Sequence, residues 1–507
     1  MGDFAADLTA AYAFEGPALH LGRPFTDPAA PLTDVDVRIP LSLVNRHGLI
    51  AGATGTGKTK TLQLMAEQLS AAGCPVFAPD MKGDLAGIGA PGTENPKITE
   101  RATGLAYEWI PKGAPIEIMS LTGEDGVPIR ASLTQFGPTL LSKVLDLNDT
   151  QESSLALVFR FCEERELLLI DLEDLRAALA YLVGPGKGDL KQLGGLSTAT
   201  VGVLQRKVSQ LEADGGDIFF GEPGLDIRDL IRTTPDGRGI VTILSLPSVA
   251  TKPRVFSTFL MWILSELFEE LPEVGDPDRP TLAFFFDEAH LLFDGASKGF
   301  LEAVTQTVRL VRSKGVAVFF VTQLPTDLPA PVLSQLGHRV QHAVRAFTPQ
   351  DARALKEAVA TFPTTDHYPD LGEMLQSLGV GEAAVTVLDQ KGVPTPVAAT
   401  RIYPPASRMD VLTPEERAAV IGASTLQSKY GQRVNRESAE EILAARLDGD
   451  TARVDDAIER ADPAPPRRAA PKDDESLADQ VGGILKSPVA KELIRGVFGM
   501  LRGRKRR

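Results

Sequence analysis

Hydrophobic and polar positions change period several times along the 507-residue chain. Over residues 1–44 the apolar stretches are short and Pro and Asp are frequent, which predicts a loose lead-in carrying one or two short strands. At 47–51 a compact apolar run enters a glycine-rich stretch, 52–57. Leu62, Met65, Ala66 and Leu69 then recur at i, i+3, i+4 and i+7, the spacing of an amphipathic helix. Gly73 ends that helix, and 75–79 reads as the next buried strand. Strand, loop, helix, strand is the opening of a parallel α/β sheet. Four further apolar runs, at 116–121, 240–246, 281–286 and 316–322, suit buried strands of the same sheet.

Elsewhere the period is helical. Segments 139–147, 152–166, 172–182 and 198–212 predict a helical insertion over 136–235, dividing the sheet domain into a first part, 45–135, and a second, 236–403. Residues 404–460 read as a helical connector, with helix-like 414–422 and 438–447. Four prolines and five alanines among mixed charges make 461–480 a linker. The last stretch, 481–507, is a basic helix or tail ending in Arg502, Arg504, Lys505, Arg506 and Arg507.

Composition removes several classes. Hydrophobic residues at 43% and charged residues at 24% describe an ordinary globular chain. Two cysteines, Cys74 and Cys162, leave no disulfide framework and point to a reducing, cytoplasmic location. No transmembrane segment is expected: the longest candidate, 255–268, is broken by Ser257, Thr258, Ser265 and Glu266. An acid stands near the N-terminus where a signal peptide carries basic residues. The net charge of −14 argues against a generally basic surface. It is also uneven. Residues 481–507 hold eight Lys or Arg and one Glu, so the preceding 480 residues carry −21.

Candidate chemistry concentrates at the ends of the expected strands. Gly52-Ala53-Thr54-Gly55-Thr56-Gly57-Lys58-Thr59, with Lys60 following, matches Gly-x-x-x-x-Gly-Lys-Ser/Thr in full and lies between a strand and a helix. Glycines let successive N–H groups converge on phosphate oxygens, Lys58 reaches the β and γ phosphates, and the Thr59 hydroxyl suits Mg²⁺. Asp287 and Glu288 end a second strand; the first acid suits the metal and the second an attacking water. His290 reads as a packing or hydrogen-bonding residue, because no Cys or His cluster accompanies it. Gln323 ends a third strand, where it can sense the γ-phosphate. Asp80, Lys82 and Asp84 fit a solvated loop and a site equally well. For the arginine that phosphoryl transfer needs, the candidates are Arg345 and the pair Arg309 and Arg312, which share a face of one helix. The chain lacks the guanine-reading Asn/Thr-Lys-x-Asp of GTPases, and Leu193-Gly-Gly-Leu-Ser197 only partly matches a transporter-type signature.

Ala51 to Lys60, Asp80-Met-Lys-Gly-Asp84, Asp287-Glu-Ala-His290, Val308-Arg-Leu-Val-Arg-Ser-Lys-Gly315, Val321-Thr-Gln-Leu324 and Arg339-Val-Gln-His-Ala-Val-Arg-Ala-Phe347 together resemble the YjgR-like family of the HerA/FtsK superfamily. The similarity runs from about Leu19 to Pro404. It implies a RecA-like P-loop core, ATP and Mg²⁺ as ligands, and a homo-oligomeric ring, expected to be a hexamer, with nucleotide between subunits. In HerA and FtsK it also implies translocation of double-stranded DNA. On this resemblance Lys58 and Thr59 belong to the phosphate loop, Asp287 and Glu288 to the acidic strand, Gln323 is the sensor, and Arg345 is a trans-acting candidate. Fewer than 50 residues precede the loop, too few for the N-terminal barrel of HerA. That departure keeps a second expectation open: a coupling ATPase that engages a protein partner, or a secretion or membrane apparatus, through the helical insertion or the basic tail.

Overall fold

Strands form where apolar residues run without interruption, and such strands are buried on both faces. In the computed structural model, β4 (Val76–Asp80), β7 (Val241–Ser245), β8 (Leu282–Phe286) and β9 (Val316–Thr322) are buried at every position. The structure describes residues 4–188, 196–249, 252–294, 298–365, 367–434 and 436–446. The linker at 461–480, the basic tail and the end of the connector lie outside them.

Among the described residues the remaining strands are β1 (Ala18–Pro24), β2 (Val37–Pro40), β3 (Gly48–Ala51), β5 (Ile116–Ser120), β6 (Val127–Pro128), β10 (His338–His342), β11 (Glu382–Thr386) and β12 (Ala398–Ile402). All twelve join one sheet in the order β2-β1-β12-β11-β10-β3-β9-β8-β4-β7-β5-β6. From β10 to β6 every pairing is parallel. From β10 outward through β11, β12, β1 and β2 every pairing is antiparallel. The lead-in is therefore not loose. It contributes the edge of the sheet, with Leu19, Leu21, Val37 and Ile39 buried, and begins with a helix, Phe4–Ala11, which its sparse apolar pattern did not suggest.

Alternate strand residues feed two cores. Phe77, Leu244, Phe284, Phe286, Val318 and Phe320 face one side, and Val76, Ile243, Ala283, Phe285, Phe319 and Val321 the other. The second face is covered by α1 (Lys58–Ala71), whose Leu62, Met65, Ala66 and Leu69 are fully buried. The first face is shared with α2 (Leu133–Val144), α3 (Asp149–Glu164), α4 (Leu172–Val183) and α5 (Thr198–Ala213), and with the apolar helix α6 (Pro253–Glu270). The segment between residues 136 and 235 thus shares one hydrophobic core with the sheet. Among the described residues no helix is long and apolar enough to cross a membrane.

Two helices of this group start earlier than their apolar period. Ser132 and Asn148 cap them, each in a reciprocal capping box with Gln135 and Gln151. In α2, Gly137 at φ 72° and Pro138 break the helical path, which hides its first turn from a periodicity reading.

Candidate active site

Parallel strands bring their C-terminal ends to one edge, where loops gather side chains from distant parts of the chain. Ala51 of β3 is in register with Thr322 of β9 on one side and Gln341 of β10 on the other. The Gly52 N–H accordingly donates to the carbonyls of Thr322 at 3.2 Å and Gln323 at 3.0 Å, and Ala53 N–H to Ala343 O at 2.9 Å. The glycine-rich loop is thereby moored between two neighbouring strands before any ligand is considered.

Its glycines are required by space and backbone alike. A Cβ at Gly52 would fall 2.5 Å from the His342 Cβ, and Gly57, the N-cap of α1, sits at φ 116° with Gly381 backbone 3.2 Å from a notional Cβ. Thr54 and Gly55 form the exposed tip, while Thr56 is buried and donates through Oγ1 to Ala53 O at 2.7 Å. Lys58 Nζ lies over the loop, 2.7 Å from Gly52 O and 3.2 Å from Ala53 O. Burial pulls its ammonium below the usual lysine range, and the charges of Glu288 and Asp287 oppose that shift. Thr59 is half-buried in the first turn of α1. Lys60 is engaged elsewhere, by the Met409 carbonyl and by Gln63 Oε1 at 3.3 Å.

Asp287 and Glu288 follow β8 at the same edge. Asp287 is buried and accepts the Glu288 N–H at 2.9 Å. Burial first, and the Glu288 charge second, push its carboxyl up to about 6. Glu288 adopts φ 50°, unusual for a residue with a side chain. Its Oε1 pairs with Lys82 Nζ, and its buried Oε2 has no hydrogen-bond donor, with His290 Nδ1 3.5 Å away. The loop that carries Lys82 is fixed by Asp80, whose carboxylate accepts the N–H groups of Gly83 at 2.7 Å, Asp84 at 3.3 Å and Leu85 at 3.0 Å. Asp80 thus anchors the loop that brings Lys82 to Glu288.

Gln323 is exposed at the end of β9, one bond from the mooring of Gly52. Arg345 is exposed at this edge too, two residues past Ala343. Arg309 and Arg312 are not brought to it. They close the helix before β9 and lie beside Arg46, His47 and Arg339, near the starts of β3 and β10 and so at the opposite edge of the sheet.

Three contributors carry no motif signal. Asp327 accepts from Thr322 Oγ1 at 2.7 Å and Leu324 N–H at 2.8 Å, fixing the turn after β9. His342 lies between the loop helix and β11, with Nε2 2.9 Å from Thr61 Oγ1 and Nδ1 2.9 Å from Glu382 O. The 380–381 turn backs the loop: Gly381 N–H donates to Thr56 O at 2.8 Å, and Arg101 holds the Gly381, Ile402 and Val380 carbonyls. Only the histidine's place inside a conspicuous run of residues could have drawn notice.

The arrangement fits a nucleoside triphosphate with Mg²⁺. A Cβ at Gly52 or Gly57 would crowd His342, Thr56 or Gly381, so glycine keeps the loop's N–H groups free to face phosphate, and the burial that raises the Asp287 carboxyl is one a cation there would offset. Among the described residues no three His, Cys, Asp or Glu side chains could hold a metal by themselves. Mg²⁺ at Thr59 and Asp287 would therefore take phosphate oxygens and water as its other ligands.

The profile of the helicase HerA-like C-terminal family matches residues 28–507. The chain belongs to that family. It is a P-loop ATPase of the HerA/FtsK type. Among curated proteins none matches. Solved structures similar to it include the bacterial conjugative coupling protein TrwBΔN70 in an unbound form, at 14% identity over 78% of this chain and 97% of that one, TM-score 0.49. TrwB with the non-hydrolysable ATP analogue ADPNP shows 16% identity over 79% and 99%, TM-score 0.48. VirB4 of Thermoanaerobacter pseudethanolicus shows 14% identity over 80% and 99%, TM-score 0.45.

Proposed function

We propose that this protein is a Mg²⁺-dependent ATP hydrolase of the YjgR-like branch, which assembles as a homo-oligomeric ring and couples turnover to movement along, or remodelling of, duplex DNA. The observation that carries the hydrolase reading is the convergence of Lys58, Asp287 and Glu288 at one sheet edge, close enough for the two acids to act on the lysine's ionisation.

In this reading the N–H groups of residues 53–59 and the Lys58 ammonium hold the β and γ phosphates. Mg²⁺, held by Thr59 and Asp287, supplies neutralising charge to the phosphoryl group when bound. Glu288 takes the proton of the attacking water on its carboxylate, which Lys82 orients through Oε1. The water oxygen bonds to the γ-phosphorus, the bond to the bridging oxygen breaks, and ADP leaves with that electron pair. Gln323 senses the γ-phosphate, and Arg345, exposed at the same edge, meets the phosphoryl charge across a subunit boundary.

Steady-state ATP turnover tests the reading. Lys58→Ala is expected to lose on the order of 10²–10³-fold, and Glu288→Gln about 10²–10⁴-fold while still binding ATP. A wild type no faster than either variant would remove the hydrolase. Duplex DNA at low salt is expected to bind and to stimulate turnover. If it does neither, and a protein partner co-purifies instead, the coupling ATPase acting through the helical insertion or the tail takes its place.

A further inference from the structure

Past β12 the chain runs along one face of the phosphate-loop helix α1. Lys60, Gln63 and Glu67, at i, i+3 and i+7, take hold of residues 406–409 there. Glu67 accepts the N–H groups of Ala406 at 2.7 Å and Ser407 at 3.0 Å, and the Ser407 hydroxyl donates to it as well. Gln63 Nε2 donates to Ser407 Oγ at 2.8 Å and to Arg408 O at 2.7 Å. Lys60 Nζ donates to the Met409 carbonyl. On its other side the same stretch fills a slot that glycines open. Arg408 N–H donates to Ala90 O and Gly92 N–H to Ala406 O, each at 2.9 Å, and a Cβ at Gly87 would fall 1.9 Å from Asp410 O.

These contacts place residues 405–410 between the nucleotide site and the rest of the chain. Lys60 leaves α1 two residues after Lys58, and the segment from Gly87 to Gly92 continues the loop that carries Lys82. Downstream, Arg408 pairs with Glu416, and Arg417 donates to Ser245 Oγ at 2.6 Å. Farther on, Arg436 pairs with Glu222 and Ala439 N–H donates to Leu168 O at 2.9 Å, both within the helical insertion. The hold on α1 is polar throughout. Met409 stands outside the hydrophobic cores and Val411 is exposed. Among the described residues no cation pairs with Glu67, whose carboxyl is pushed up to about 7 by burial. A stretch held by hydrogen bonds that water can replace, over a carboxylate that resists cover, opens locally at less cost than the core.

We propose that residues 405–410 form a strap whose docking on α1 is coupled to nucleotide at the phosphate loop, and that this coupling passes the state of the loop to the C-terminal stretch and the helical insertion. Phosphates ordered on the loop N–H groups and Lys58 fix the first turn of α1, and with it the face that Lys60, Gln63 and Glu67 present. A strap that meets a fixed face loses less freedom on docking, so each event favours the other. The proposal rests on nucleotide binding at the loop and needs neither hydrolysis nor DNA.

Amide hydrogen exchange over residues 403–412 of the full chain, with and without ADPNP and Mg²⁺, tests the coupling. ADPNP is expected to slow exchange there about fivefold or more. Glu67→Gln is expected to speed it on the order of tenfold without nucleotide, leaving β8 and β9 unchanged. The same variant should bind ADPNP more weakly, by up to the factor through which ADPNP slows exchange in wild type, because coupling is reciprocal. Ser407→Ala, which leaves α1 untouched, should move both readings in the same direction. If only Glu67→Gln moves them, the cause is damage to the helix and the proposal falls. Exchange that ignores bound ADPNP, or unchanged ADPNP affinity in both variants, would overturn the coupling alone. A wild type that fails to bind ADPNP removes the nucleotide reading itself, and the coupling with it.

Discussion

Glu288 meets its partner only in three dimensions: Lys82 is 206 positions away in the chain and belongs to a different strand end. A carboxylate that receives a proton from water must present one oxygen, and a cation on the other oxygen sets which one. On the proposed mechanism Lys82 is a positioning residue. We expect Lys82→Met to lower kcat roughly 10- to 100-fold with KM for ATP little changed, and Lys82→Arg to recover most of the loss. A parallel rise in KM, or a methionine variant with wild-type kcat, would show that the contact does not serve turnover. This residue also marks how far the sequence could be read. The phosphate loop and the acidic strand announce themselves because their chemistry is contiguous. Asp80-Met-Lys-Gly-Asp84 leaves loop and site equally open in the sequence, because the ion pair to Glu288 that bears on the choice has no local signature.

Between elements, buried histidines do the joining. His342 ties β10 to the loop helix through Thr61 and to β11 through Glu382, and His47 and His338 hold β9 and the Leu43 carbonyl in the same way. Burial holds all three down at about 4, against an ordinary value of 6.5. Between those values the unfolded chain binds protons that the folded chain refuses, so stability is complete above about pH 6.5 and is lost as pH falls toward 4. At pH 5 each histidine should account for on the order of 1–2 kcal/mol of that loss. We expect urea midpoints to fall from pH 7 to pH 5, and His342→Gln to show a smaller fall than wild type, whatever its stability at pH 7. An identical fall in both would remove His342 from the cause. The same elements explain what the apolar pattern missed. β4, β7, β8 and β9 are legible because both faces are apolar, whereas β10, His-Arg-Val-Gln-His, alternates into polar residues that are buried only because the histidines and Gln341 find partners there. β11, with its run of small residues, and β12 depend on β10 for pairing, so half of the antiparallel extension was unreadable until the first strand was placed.

At the scale of the whole molecule the charge is divided, with −21 over the first 480 residues and +7 over the last 27. An acidic body repels a polyanion at long range, and screening over about 10 Å at 0.1 M salt weakens that repulsion without reversing it. If duplex DNA binds as proposed, it has two ways to do so: through the tail, or through a basic lining of the folded part that local geometry shields from the overall field. These differ in their response to salt. Each phosphate neutralised steepens the fall of log K with log salt by about 0.9, so a tail with eight cations can account for a slope of several units. We expect removal of residues 481–507 to weaken duplex binding at low salt by at least tenfold, to flatten the slope by several units, and to leave ATP turnover without DNA unchanged, because none of the catalytic groups lies in that segment. If affinity and slope both survive the truncation, the DNA contact belongs to the folded body.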